Sequence, residues 1–143
     1  MNKIRTVYGV LSLLILILGM VIYLLFRDLN NMILFKIVPK PEFAESVLIQ
    51  LKPSVFSYVL KYNLPDMFWF VSAILFLRFI WFEKIKIQTV YIICFYVIGF
   101  VFEICQLSEK VPGTFDWLDL LFFGIGASVE GLLYKFFILR RCL

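Results

Sequence analysis

Two aspartates, a glutamate and a glutamine crowd one short stretch, EICQLSEKVPGTFDWLDLLFFGIG, running from Glu103 to Gly126. At 100° per residue, Gly99, Glu103 and Gln106 fall on one helical face, and Asp119, Phe123, Gly126 and Glu130 fall on another. Pro112 and Gly113 between the two stripes signal a turn, so a tight antiparallel hairpin that opposes them is predicted. Carboxyl groups gathered in this way attract a cation or a cationic group, or take up a proton, or are neutralised by a lysine that folds in. The nearby lysines are Lys61 and Lys110, while Asp66 adds a further acid, so charge is not balanced by the sequence neighbours. Glu103, Gln106, Asp116 and Asp119 are therefore the candidate ligand-binding residues.

Each of these residues also has a plain structural use. Acids in the first turn of a helix cap its free N–H groups and complement its dipole, which suits Asp116 and Asp119. Glu103 and Gln106 suit interhelical hydrogen bonding within the hairpin. Arg78 and Glu130 lie at comparable depth in the other half of the bundle and are expected to form an ion pair, or Arg78 alone to snorkel to the interface. Gly99 and Gly126 coincide in depth and are expected to let the hairpin helices approach, with Gly124, Ser128 and Gly131 repeating the device on the reverse face.

The elements that must hold these residues are membrane helices. The chain has 143 residues, 63% of them hydrophobic and 19% aromatic, a composition too apolar for a soluble domain of this size. Thr6 to Phe26 carries no charge between Arg5 and Arg27, and at about 1.5 Å per residue it crosses about 30 Å of hydrocarbon. It lacks the short core and small-residue cleavage site of a signal peptide, so it is expected to be a retained first helix. The fold expected is a single all-α membrane domain, residues 1–143, with four transmembrane helices near 6–26, 65–82, 87–107 and 117–139. Pro65 at a first helical turn, followed by Asp66, marks the start of the second. The outer loop, residues 28–64, repeats apolar residues at roughly helical spacing from Phe43 to Leu60, which predicts an interfacial amphipathic helix over about 43–61, kinked or split at Pro53.

Basic flanks set the orientation. Lys3 and Arg5, Lys84 and Lys86, and Arg140 and Arg141 fall on one side of a four-helix topology, which makes both termini cytoplasmic and turns the acidic hairpin outward. The net charge of +4 is then explained by topology and anionic headgroups, and no nucleic-acid partner is expected. The chain has no histidine, which removes Ser-His-Asp and Cys-His nucleophiles and His-ligated metals. Cys94, Cys105 and Cys142 form no CxxC pair, and neither a cofactor nor a resident metal is expected.

The run GFVFEICQ, the loop PGTFDWLD, then GIG and EG resemble the core of the VanZ-like family of small integral membrane proteins, named after a teicoplanin-resistance accessory protein. The pattern in that family is Glu-x-x-Gln, a Pro-Gly-Arg loop, an Asp-x-x-Asp helix start, then Asn and spaced glycines. The matching residues are Glu103, Gln106, Pro112, Gly113, Asp116, Asp119 and Gly126, over about the last third of the chain. Thr114 stands where the family tends to have arginine, and Phe123 where it tends to have asparagine. The resemblance implies a multi-pass protein of the bacterial cytoplasmic membrane, associated with the cell envelope and glycopeptide resistance. The expected ligand is an envelope lipid, a lipid-linked precursor or a cationic amphiphile. Two alternatives are a metal-dependent lipid-headgroup or phosphoryl-transfer enzyme, its ion held by paired carboxylates, and an accessory subunit docked on a larger membrane protein partner.

Overall fold

A computed structural model describes residues 3–26, 52–108 and 115–141, and among them the chain is helical without a strand. Helix α1 spans Lys3–Phe26, α2 Val55–Ile80, α3 Ile85–Gln106 and α4 Trp117–Arg141. All four are long and apolar enough to cross a membrane. The greater part of the predicted outer loop and the Pro112–Gly113 turn lie outside the described residues, as does Cys142.

Helix α2 departs from expectation at its start. Residues 27–51 lie outside the described part, and past Pro53 Ser54 caps a helix, its hydroxyl accepting from the Ser57 N–H at 3.1 Å while the Ser57 hydroxyl accepts from the Ser54 N–H at 2.9 Å. The described part of the predicted interfacial helix is thus the first turns of α2, which runs on through Pro65. A proline inside a helix lacks its N–H, and its ring presses on the carbonyl four residues earlier. Here the preceding residues, Val59–Asn63, form a wider π turn closed by the Leu64 N–H on the Val59 carbonyl. That extra residue per turn makes room for the ring and rotates Asn63 into the bundle.

Helix α2 is the hub, and each of its faces meets a different helix. Toward α1 it presents Ser72, whose hydroxyl donates to the Ser12 carbonyl at 2.9 Å while the Ser12 hydroxyl donates back to the Ser72 carbonyl at 2.9 Å. Gly19 of α1 lies against Trp69, and Arg5 donates through Nε to the Phe79 carbonyl at 3.0 Å, placing a cation at the C-terminal end of α2. Toward α3 and α4 it presents Phe70 and Ile74, while Val71 and Leu75 pack with Tyr8 of α1 and against Tyr134 and Phe137 of α4, all four α2 residues being buried. Such an arrangement suits a bilayer, where association rests on small residues, close packing and interhelical hydrogen bonds.

The expected close approach of α3 and α4 through Gly99 and Gly126 does not occur. Phe70 stands between the two helices, its ring centroid 5.2 Å from Phe95 and 4.7 Å from Phe123. Gly99 accordingly faces Phe70, whereas Gly126 is pressed against α2, where a Cβ would lie 2.9 Å from Val71 Cγ2. Within this chain the reverse face of α4 is open: Gly124 and Ser128 are exposed, a Cβ at Gly124 would meet nothing within 4 Å, and the Ser128 hydroxyl turns back to the Gly124 carbonyl. One large ring on α2 overrides the depth match of two glycines.

Candidate functional site

Two polar clusters lie at opposite ends of the bundle. At the end nearest the α2–α3 connection, Arg78 donates to both carboxylate oxygens of Glu130, with the Nη2 to Oε2 separation 3.0 Å. Its Nη1 donates to Gln88 Oε1 at 3.0 Å, and the guanidinium lies 3.6 Å from the centre of the Tyr134 ring. All donors of a buried arginine are costly to strand, and here a fork-to-fork carboxylate, an amide and a ring face share them. Gln88 returns a bond to the Arg78 carbonyl at 3.3 Å, so one network ties α2, α3 and α4 together.

The second cluster holds the sequence-predicted acids at the end where α3 stops and α4 begins. Asp116 caps α4, its Oδ1 accepting from the Leu118 N–H at 2.9 Å. Its Oδ2 accepts from the Tyr58 hydroxyl at 2.8 Å and from Asn63 Nδ2 at 3.4 Å. Its own N–H donates to Glu103 Oε1 at 3.1 Å. Asp119, one turn on, accepts from Asn63 Nδ2 at 2.7 Å through Oδ1. Burial pushes the Asp116 carboxyl up, but the Leu118 N–H, the Tyr58 hydroxyl and the Asn63 amide together hold it below its ordinary value of 3.8.

Glu103, Asp116 and Asp119 are therefore brought together, while Gln106 is half-buried at the last turn of α3 and no hydrogen bond joins it to them. Among the described residues, the donors that reach Glu103 and Asp116 are uncharged: two backbone N–H groups, a phenol and an amide. The Lys61 ammonium stands 5.3 Å from the centre of the Tyr62 ring. Lys110 and Thr114 lie outside the described residues.

Sequence reasoning missed Asn63 and Tyr58. Had the helix been extended through Pro65, Asn63 would share a stripe with Met67 and Val71, four and eight residues on, a polar residue aligned with an apolar face. Asn63 has no exposed surface, and its Oδ1 accepts no hydrogen bond among the described residues. The Glu103 side of the site is likewise closed, with 5% of the residue exposed.

Inward from this cluster by one turn lies an apolar groove of about 360 Å³ between α3 and α4. Tyr96 and Phe100 form one wall, Leu120, Phe123 and Ala127 the other, and Phe70 contributes from α2 between them. Among the described residues, no three Asp, Glu or Cys side chains stand close enough to hold a metal ion. Comparison with protein-family models, with curated proteins and with solved structures finds no match to this chain.

Proposed function

We propose that the chain is a VanZ-like protein of the bacterial cytoplasmic membrane, with both termini cytoplasmic, that binds an envelope amphiphile at an outward-facing polar site. The amphiphile is an envelope lipid, a lipid-linked precursor or a cationic amphiphile, and through it the protein influences resistance to glycopeptides and other envelope-active antibiotics. One observation carries this reading. Glu103, Asp116 and Asp119, which belong to the motif that resembles the family, converge with Asn63 into one hydrogen-bonded cluster directly beside an apolar groove. A polar head and an apolar chain are the two halves of an amphiphile, and they find their counterparts here at adjoining depths. Buried carboxylates in a membrane helix are costly, and a glutamate in such a place, as Glu103 is, marks a functional site.

The test is antibiotic susceptibility in a glycopeptide-sensitive bacterium that expresses the protein. Expression is expected to shift the inhibitory concentration of teicoplanin, and Glu103→Gln or Asp119→Asn, inserted at equal level, is expected to abolish the shift. A shift that persists in both variants refutes the site; no shift on expression refutes the envelope role.

A further inference from the structure

We infer that the occupant of the α3–α4 groove is a bilayer lipid with a free ammonium in its head and net positive charge, its chain in the groove and its ammonium at Glu103, Asp119 and Asn63. The inference rests on the proposed envelope reading and narrows it to one ligand chemistry.

Three separate features lead to it. The first is the set of acceptors. Glu103 and Asp119 offer carboxylates, and Asn63 offers a carbonyl oxygen that has no partner among the described residues, on a side chain wholly shielded from solvent. The Asn63 amide stands against the cluster, its nitrogen donating to Asp119 and Asp116. A buried amide oxygen left without a donor costs roughly 1–3 kcal/mol, so Asn63 Oδ1 is energetically unsatisfied. Its remaining need is for donors. An ammonium supplies three N–H groups and a positive charge; a phosphate supplies neither and is repelled by the carboxylates.

The second feature is the π turn at Val59–Asn63. Such turns interrupt regular helices at a cost and occur frequently at functional sites. Here the turn delivers Asn63 to Asp119 and Tyr58 to Asp116, assembling the polar half from α2. The third is the groove itself. It lies between two helices long enough to cross the membrane and its walls are rings and aliphatic chains, so a chain enters it from the bilayer and not from water. Phe100, half of it exposed, and Gly124, with open space over its Cα, leave that lateral route clear.

Binding of dodecylamine to the purified protein in zwitterionic nanodiscs tests this, with dodecanol, dodecyl sulfate and methylamine as the comparison probes. Saturable binding of dodecylamine is expected, with dodecanol, dodecyl sulfate and methylamine each weaker by roughly tenfold or more, as loss of a charge-assisted contact or of chain burial demands. Asp119→Asn removes the charge, and Gly124→Leu fills the groove from a position with room for the side chain. Each is expected to weaken dodecylamine binding by a similar factor, so a folding defect in one leaves the other to decide. Equal binding of dodecanol, or binding unchanged in both variants, overturns the ammonium assignment. Methylamine as tight as dodecylamine overturns the lipid assignment, and so does a protein partner whose co-purification is lost in Gly124→Leu but not in Asp119→Asn. An antibiotic shift that survives while dodecylamine fails to bind would sink this inference alone; loss of the shift as well would sink the envelope reading with it.

Discussion

Asp116 shows how one side chain serves both structure and site. It caps α4 and at the same time collects Tyr58 and Asn63 from α2, and its N–H holds Glu103 of α3. Because its carboxyl titrates below the ordinary value in the folded protein, it stabilises the fold fully above about 3.8, and that contribution drains away as pH falls through the lower folded value. Thermal unfolding in detergent between pH 6 and pH 3 is expected to show an acid loss of melting temperature that is shallower in Asp116→Asn; identical acid limbs would contradict the linkage. The other ion site has a different sign structure. Removing one partner of the buried Arg78–Glu130 pair strands a charge, so Glu130→Ala is expected to cost about 3–5 kcal/mol in unfolding experiments, whereas Arg78→Met with Glu130→Leu together costs far less. At the level of single residues, the pairing of Arg78 with Glu130 and the cap at Asp116 were legible from depth and position alone. Asn63 and Tyr58 were not, because their part depends on a helix start that Pro65 disguised.

Helix identity was readable from apolar run length, since backbone groups in hydrocarbon must be satisfied within the helix and the runs were long enough to do it. Helix partnership was not. Glycines at equal depth suggested that α3 packs on α4, but packing follows the largest side chain that must be housed, and Phe70 occupies the space between them. The same glycines thus divide into one under pressure and one in the open. Leucine at Gly126 must displace Val71 and Met67, and an overpacked core site costs about 1–3 kcal/mol; leucine at Gly124 meets nothing and is expected to leave stability within about 0.5 kcal/mol of wild type. Reversible unfolding of both variants in the same detergent decides it. Equal losses would mean that α4 packs on both faces, as its small residues suggested.

Over the molecule as a whole, α2 acts as a post against which α1, α3 and α4 are set, with a charged network at one end and an acid-rich site at the other. The charged network ties α2, α3 and α4 near the α2–α3 connection and the Asp116 cluster ties them again at the other end, while Phe70 spaces α3 from α4 over the groove between. That distribution suits a protein that admits an amphiphile sideways at the acid-rich end without loosening its frame. Mass spectrometry of lipids retained after gentle solubilisation tests that claim most directly, with wild type compared against Glu103→Gln and Asp119→Asn. The account predicts a lipid held in stoichiometric amount by wild type and depleted from both variants, each still folded. The same lipids in the same amounts on all three proteins would contradict it.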